Sequence, residues 1–195
     1  MKILAVSDVP SDRYYEYFKE GMLDEFDLIL SCGDLRPEYV EFLVTMAHCP
    51  LVYVHGNHDD SYGRDPQGCI CADDKIVEVG GLRILGLGGS YFYRDGEYMY
   101  TENQMKSRVR RLWLQLKRRR GFDILLTHAP ARGLNDLDTL PHRGFECFNT
   151  LMEKYEPSYF IHGHVHRNYG VHIPQITQKG KTTVVNAYEY CIIEA

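Results

Sequence analysis

Short apolar stretches that each end in a polar cluster constrain this chain more than any other feature of its sequence. They occupy residues 3–6, 28–30, 51–54, 124–126 and 159–161. Runs of this length, rich in aliphatic side chains and followed by Gly, Asp or His, predict buried β-strands. Apolar residues at helical spacing separate the first three, so we predict helices at 11–26 and 37–46. This alternation of strand and helix is typical of a parallel sheet covered by helices.

The second half of the sequence predicts a β-rich arrangement. Residues 75–79 and 82–87 flank Gly80-Gly81 and predict a hairpin, while residues 102–120 and 145–155 predict helices. Further short strands are expected at 169–172, 182–186 and 190–193. We therefore expect two sheets packed together between helical layers. A chain of 195 residues that is 44% hydrophobic can bury a real core, so we expect one domain over residues 1–195.

Charge and cysteine content argue against several classes of function. The chain has 22 Lys and Arg against 27 Asp and Glu, whereas a protein that binds nucleic acid through broad phosphate neutralisation is usually basic. No apolar run approaches the ~20 residues of a membrane span, and the amino terminus lacks a signal-peptide core. We therefore predict a cytoplasmic protein with no membrane partner, whose six cysteines are reduced thiols.

The polar clusters that follow the predicted strands carry the chemistry. In an open parallel sheet the loops after the carboxyl ends of the strands converge at one crevice, so residues far apart in sequence meet there. Carboxylates, an amide and imidazoles together suit manganese, iron or zinc better than calcium. The clusters are Asp8, Gly33-Asp34, Gly56-Asn57-His58-Asp59, His128 and Gly163-His164-Val165-His166.

These clusters make the chain resemble the calcineurin-like metallophosphoesterase superfamily, whose pattern is Asp-x-His, Gly-Asp, Gly-Asn-His-(Asp/Glu), a separate His and Gly-His-x-His. The resemblance implies a four-layer α/β/β/α sandwich with two mixed sheets. It also implies two divalent transition-metal ions, with manganese as the first choice and iron, zinc or nickel as alternatives. Asp34 would bridge the two ions, and the family pattern assigns the other ligands as Asp8 and His166 on one metal and Asn57, His128 and His164 on the other.

One position departs from the family pattern. The motif that begins at Asp8 would place a histidine at position 10, where this chain has Pro10. Proline has no side-chain donor, so the first metal loses a protein ligand. Water, Ser11 or Asp12 could take that place, although an acid such as Asp12 also suits the first turn of a helix.

The resemblance implies hydrolysis of phosphodiester or phosphomonoester bonds by a hydroxide held between the two metals. His58 would stabilise the transferring oxygens or protonate the leaving group, with Asp59 orienting its ring. The expected substrate is a phosphorylated small molecule or a nucleotide. The alternative is a scaffold on the same fold with an impaired metal site, similar to relatives of the retromer-subunit type, and Pro10 favours it.

Other residues carry weaker signals. Arg94, His142 and Arg143 lie in loops that could reach a phosphate, although an arginine in such a loop is more often a surface residue with no part in binding. Asn186 follows a predicted strand, whereas His55 and His162 precede motif glycines and are expected to support them. A basic run at 117–120, with Arg108, Arg110 and Arg111 upstream, is either a partner or nucleic-acid patch or the solvated face of a helix. Fifteen tyrosines are compatible with a homodimer.

Overall fold

The computed structural model describes residues 1–167 and 173–195. Its strands in chain order are β1 (Lys2–Ser7), β2 (Leu28–Ser31), β3 (Leu51–Tyr53), β4 (Ile70–Cys71), β5 (Lys75–Val79), β6 (Leu82–Leu87), β7 (Ser90–Tyr91), β8 (Met99–Tyr100), β9 (Ile124–Thr127), β10 (Tyr159–His162), β11 (Ile176–Lys179), β12 (Thr182–Asn186) and β13 (Glu189–Glu194). Its helices are α1 (Pro37–Ala47), α2 (Glu102–Arg111), α3 (Trp113–Arg119) and α4 (Glu146–Tyr155), with 3₁₀ turns at Asp59–Tyr62 and Leu140–His142.

Two mixed sheets organise these strands. The first has the order β13-β1-β2-β3-β4 and the second the order β11-β12-β10-β9-β6-β5, while β7 and β8 pair separately. Strands β1, β2 and β3 run parallel, with Ile3 opposite Leu28 and Ile29 opposite Leu51. In the second sheet β6, β9, β10 and β12 are parallel, and antiparallel β5 and β11 form its edges. The two expected sheets are therefore both present.

Side-chain alternation along β1 shows how the layers pack. Ile3 and Ala5 are fully buried between the sheets, in the same cluster as Ile161 of β10. Leu4 and Val6 point to the opposite face, where they pack under the layer that contains α1. Helices α2, α3 and α4 cover the outer face of the second sheet through a third apolar cluster. These layers form the expected α/β/β/α sandwich. The central strands are apolar throughout because both of their faces are buried.

The segment 11–26 is not the predicted helix. It folds as successive turns, with the N–H of Tyr14 bonded to Ser11 and that of Asp24 bonded to Gly21. Gly21 has a φ of +84°, which interrupts any right-handed helix at that point. Tyr14, Leu23 and Phe26 are nevertheless buried, so the segment still covers the first sheet. The spacing of the apolar residues correctly indicated that this segment covers the sheet, but the predicted helical backbone is wrong.

The predicted helix 102–120 divides into α2 and α3 at Leu112. The N–H of Leu112 bonds to Val109, three residues earlier, and its ψ is −3°, so the helix tightens and bends there. Both Leu112 and Leu116 are thereby buried against the second sheet. No glycine or proline marks this break in the sequence. Thr101 begins α2 with a capping box that it forms with Gln104.

Most other boundaries agree with the sequence-based expectations. Strand β11 and the short strands β4, β7 and β8 were not predicted, because runs of two residues or of alternating exposed residues carry little apolar signal. The strand expected at 169–172 lies outside the described residues. Among the helices described, none is long and apolar enough to cross a membrane.

Candidate metal centre

The predicted polar residues are assembled by loops at the carboxyl ends of five strands. Asp8 follows β1, Asp34 follows β2, Asn57 follows β3, His128 follows β9 and His164 follows β10. The first three loops belong to one sheet and the last two to the other, so the site lies where the two sheets meet. This is the convergence expected of strands whose loops share one edge.

Three side chains bring potential metal-binding atoms around the ring nitrogen Nε2 of His128. That nitrogen lies 3.0 Å from Oδ1 of Asn57, 3.4 Å from Oδ2 of Asp34 and 3.0 Å from Nδ1 of His164. One donor atom each from Asp34, His128 and His164 lies within 4.8 Å of the other two, and all three residues are buried. Oxygen and nitrogen atoms this close together form a candidate site for a divalent transition metal.

Hydrogen bonds behind the two rings fix which nitrogen faces inward with a lone pair. Nδ1 of His128 lies 2.7 Å from the carbonyl oxygen of Cys32, and Nε2 of His164 lies 2.7 Å from that of Pro141. A carbonyl only accepts, so these nitrogens carry the protons. In the neutral rings, Nε2 of His128 and Nδ1 of His164 then present lone pairs to each other. Two lone pairs that face each other repel unless a cation lies between them. This arrangement of donor atoms therefore fits a metal ion.

The pKa values reflect the same need for positive charge. Burial opposes ionisation of Asp34, but the charge of His128 beside it holds the pKa of Asp34 at about 2. Burial also disfavours a charged His128, but Asp34 raises the pKa of His128 to about 9. Burial and the neighbouring charge of His128 lower the pKa of His164 to about 3. Without a metal, one proton on His128 therefore occupies the place where the lone pairs converge.

Asp8 and His166 form the other half of the expected site. Nε2 of His166 lies 3.5 Å from Oδ1 of Asp8, and Oδ2 of Asp8 accepts the N–H of His164 at 2.9 Å. Burial acts to raise the pKa of Asp8, but the hydrogen bond to His166 and the charge of His128 together outweigh burial, so the net pKa is lowered. This half therefore has one carboxylate and one imidazole, with Asp34 as the third candidate ligand.

The substitutes considered for the missing histidine are directed elsewhere. The hydroxyl of Ser11 donates to Glu189 at 3.3 Å, and the N–H of Ser11 donates to the hydroxyl of Tyr39. Asp12 is exposed, and among the described residues neither Ser11 nor Asp12 lines the cavity at the site. Water thus remains as the candidate to take the position that Pro10 leaves without a donor.

The backbone at this centre is strained. Asp8, Asp34 and His164 have φ values of 66°, 56° and 65°, a left-handed conformation that costs about 1–3 kcal/mol for each non-glycine residue. Close approach also requires glycine at position 56, because a Cβ there would lie 2.1 Å from Oδ1 of Asp34. Backbone strain at three candidate ligands, with Gly56 packed against one of them, is typical of a site whose side chains are held in position for binding.

His58 lines the cavity, but its ring forms no hydrogen bond with the Asp59 carboxylate, so the expected orientation of the ring by Asp59 is wrong. Oδ2 of Asp59 instead accepts the N–H of Gly56 at 2.8 Å, a local bond at the start of the 3₁₀ turn, and Oδ1 has no hydrogen-bond partner among the described residues. Burial and the charge of Asp34 raise the pKa of Asp59 to about 6. Arg94, which was expected to bind phosphate, instead contacts the ring of His58, with Nη2 at 3.1 Å from Nδ1.

A cavity of about 230 Å³ opens over the donor atoms. His142 lines it, as the sequence suggested, but Arg143 does not: its guanidinium lies over the ring of Tyr91 at 5.5 Å. Tyr62 and Tyr93 also line the cavity and were not predicted. The spacing of four residues between His58 and Tyr62, across one short helical turn, was the available signal for Tyr62.

Three supporting residues behave as expected. His55 is held between Asp73, at 2.6 Å from Nδ1, and Asp65, at 2.9 Å from Nε2. His162 is buried, with Nδ1 at 3.1 Å from the carbonyl oxygen of Gly163. The amide of Asn186 donates to the carbonyl oxygen of Val165 at 2.8 Å and so holds the loop that contains His164 and His166.

Fold and donor set together define a class of protein: a two-sheet sandwich with a candidate metal centre at the edge where its sheets meet. The chain belongs to the calcineurin-like phosphoesterase family, whose model matches residues 1–168. The motif-based resemblance is thereby confirmed; the family implies divalent metal ions, and Asp34, His128 and His164 form a group that could hold one.

Relatives agree with this assignment. The chain is similar to a UPF0046 protein of Caenorhabditis elegans, at 30% identity over 80% of this chain and 63% of that protein. It is also 32% identical to human metallophosphoesterase domain-containing protein 1, over 61% of this chain and 34% of the human protein. The chain thus spans less than two thirds of the length of either. The crystal structure of the Thermus thermophilus protein TT1561 shares the fold, with a TM-score of 0.65, 17% identity and coverage of 96% of this chain and 89% of that one.

Proposed function

We propose that the chain hydrolyses phosphodiester or phosphomonoester bonds in small phosphorylated molecules or nucleotides. Asp34, Asn57, His128 and His164 would hold one divalent cation, and Asp8, His166 and Asp34 a second, with manganese as the first choice. Divalent cations bound there would lower the pKa of a water molecule and offset the negative charge of a phosphate. The observation that carries the proposal is the convergence of lone pairs on Nε2 of His128 beneath an open cavity.

His58 is the proposed catalytic residue, and its contact with Arg94 favours one of its two candidate roles. A guanidinium has no acceptor atom, so Arg94 donates to Nδ1 of His58 and the proton of the neutral ring lies on Nε2. A neutral ring can donate a hydrogen bond to a phosphoryl or leaving oxygen. Full proton transfer would instead need the imidazolium form, whose Nδ1–H would face the guanidinium. We therefore assign His58 as a hydrogen-bond donor that stabilises developing negative charge.

The cavity supports a small substrate. Tyr62, Tyr93 and Pro141 line it together with the donor atoms and His142. Aromatic side chains beside a phosphate site suit esters that carry an aryl group or a base, because a ring buries much area at little entropic cost. We infer that diesters and monoesters with a planar group are better substrates than phosphorylated sugars or proteins.

Metal reconstitution tests this function. The chain loaded with Mn²⁺ should turn over aryl phosphodiesters or monoesters, and Asn57→Ala should abolish turnover and reduce the bound metal measured by elemental analysis. Asn103→Ala, on the exposed face of α2, is the matched control and should leave both unchanged. Absence of turnover on the whole ester panel, with metal bound, would contradict the proposal.

A second candidate function is a protein-interaction scaffold that retains a weakened metal site. Pro10 is the observation that favours it, because Asp8 and His166 lack a third donor of their own at that position. Pro10→His separates the two functions. For the phosphoesterase we expect tighter metal binding with turnover retained or raised; for the scaffold we expect bound metal and no turnover in either form.

A further inference from the structure

An apolar groove runs along the outer helical layer, on the side of the second sheet that faces away from the first. A cavity of about 330 Å³ lies between α2, the start of α3 and α4, with Val109, Trp113, Leu116, Leu151 and Tyr155 among its lining residues. An adjoining cavity of about 500 Å³ shares Trp113, Leu116 and Tyr155 with it, so the two form one continuous groove. Trp113, the single tryptophan of the chain, is 60% exposed there. A concave apolar surface beside an exposed tryptophan is a candidate interaction site.

Positive charge surrounds this groove. Its two cavities are lined by five cationic side chains and, among the described residues, by no carboxylate; the cations are Lys106, Arg110, Lys117, Arg120 and Lys154. The chain as a whole has a net charge of −5, so the groove has the opposite sign to the molecule that carries it. A local field of this kind attracts an acidic partner.

Ion pairs within the chain occupy some cations of the basic run and leave several groove cations without a carboxylate. Arg119 pairs with Glu78 at 3.0 Å, and Arg108 is buried and bonded to Asp74 at 2.7 Å. By contrast, no described residue forms an ion pair with Arg110 of α2, with Lys117 of α3 or with Arg120, which follows α3. These three of the five groove cations thus lack a carboxylate partner among the described residues, whereas Lys106 lies 3.6 Å from Glu102.

The shape of the groove selects a peptide over other anionic partners. Its lining is concave and includes buried Leu116 and Leu151. Aliphatic side chains of a peptide can contact these leucines, whereas a nucleic-acid backbone or a flat bilayer cannot reach them. The groove also shares no described lining residue with the cavity at the candidate metal centre. Occupancy of one site therefore leaves the other open.

We propose that this groove docks an acidic amphipathic segment of a partner protein. The segment would place apolar residues at helical i, i+3 and i+4 spacing against Trp113 and Leu116, and its carboxylates would pair with Arg110, Lys117 and Lys154. This is helix-in-groove recognition, in which the apolar anchors supply affinity and the charges supply orientation. Because the groove is separate from the metal centre, the inference does not depend on the proposed phosphoesterase activity.

Fluorescence anisotropy with a defined probe tests the docking site. The probe is a labelled peptide of about 16 residues with Leu at helical spacing and Glu elsewhere, and the comparison peptide has Lys in place of Glu. We expect the acidic peptide to bind the intact chain and binding to weaken when salt is raised, since charge pairs are screened. Trp113→Ala and the double variant Arg110→Glu, Lys117→Glu should each weaken binding about ten-fold or more, whereas exposed Lys19→Glu should not.

Several outcomes would overturn the docking site. They are no binding of the acidic peptide, equal binding of the basic peptide, or binding that survives Trp113→Ala in a variant whose circular dichroism is native. Tighter binding of single-stranded RNA or of anionic vesicles, with the same dependence on Arg110 and Lys117, would assign the surface to a different class of partner. Dimerisation of the unmodified chain that Trp113→Ala abolishes would make a second copy the occupant.

Discussion

Proton placement on three histidine rings organises the candidate centre. The carbonyl oxygens of Cys32 and Pro141 set the tautomers of His128 and His164, and Arg94 sets that of His58. None of these partners is adjacent to its histidine in sequence, so the tautomers depend on loops from different strands. The histidines themselves follow predicted strands and could be located from the sequence, but the atoms behind them could not.

Arg94 is the residue whose removal best tests the role assigned to His58. We expect Arg94→Ala to lower kcat about 10–100-fold while metal content stays unchanged, because the ring of His58 loses the donor that holds its tautomer. Arg94→Lys should recover part of the rate, since an ammonium can also donate to Nδ1. Exposed Arg118→Ala is the control for the loss of a positive charge. A rate within two-fold of the original for Arg94→Ala, measured with saturating Mn²⁺, would refute the assignment.

Segment 11–26 shows at the level of elements what a sequence pattern leaves undetermined. Tyr14, Phe18 and Met22 have helical spacing, but the chain turns at Gly21 and buries Tyr14 and Leu23 from a non-helical backbone. Apolar spacing predicts which side chains are buried, and several backbones satisfy the same burial. The bounds of strands such as β1 and β9 were predicted more closely, because a short apolar run outside a sheet would be exposed to solvent.

Gly21→Ala distinguishes the turn from a helix by the sign of its effect. At the observed φ of +84° an alanine is strained, so we expect the free energy of unfolding to fall by about 1–2 kcal/mol. In a helix the same change would raise stability by about 0.5–1 kcal/mol. Urea denaturation measures the difference, and Gly96→Ala, in an exposed loop without positive φ, is the control. An increase in stability for Gly21→Ala would contradict the turn.

The ion pair between Arg83 and Asp123 connects the start of β6 to the residue before β9 and makes stability depend on pH. Nη2 of Arg83 lies 2.6 Å from Oδ1 of Asp123, and Oδ2 of Asp123 accepts the backbone N–H of Arg83. This bonding lowers the pKa of Asp123 from its ordinary 3.8, although burial acts in the opposite direction. The carboxylate therefore stabilises the fold above the ordinary pKa and loses that contribution as pH falls through the lowered value.

Asp123→Asn measures that contribution. We expect the variant to be less stable than the unmodified chain at pH 6, and the gap in urea midpoint to close as the pH falls below about 4. The reason is that a protonated Asp123 and an asparagine are both neutral. Asp95→Asn, which removes an exposed carboxylate, should show no gap that changes with pH. A gap for Asp123→Asn that stays constant from pH 6 to pH 3 would show that the lost stability is not electrostatic.

The candidate centre joins the two sheets at the level of the whole molecule. Asp8, Asp34 and Asn57 come from loops of the first sheet, and His128, His164 and His166 from loops of the second. The sequence predicted that these donors converge, because each follows a predicted strand, but it did not assign them to different sheets. It could not predict how closely the groups approach, which depends on the packing between the sheets.

Metal binding should consequently stabilise the entire fold and not only the loops. A cation bound to the folded chain alone adds about 2.7 kcal/mol at a concentration 100 times its Kd, which corresponds to a rise in Tm of about 5–10 °C for a chain of this size. We expect Mn²⁺ to produce this shift in calorimetry and chelation with EDTA to reverse it. Asn57→Ala should reduce the shift and Asn103→Ala should retain it. If the metal joins the sheets, amide exchange should slow in β1 and β9 alike; protection confined to one sheet, or an unchanged Tm with metal bound, would contradict the link.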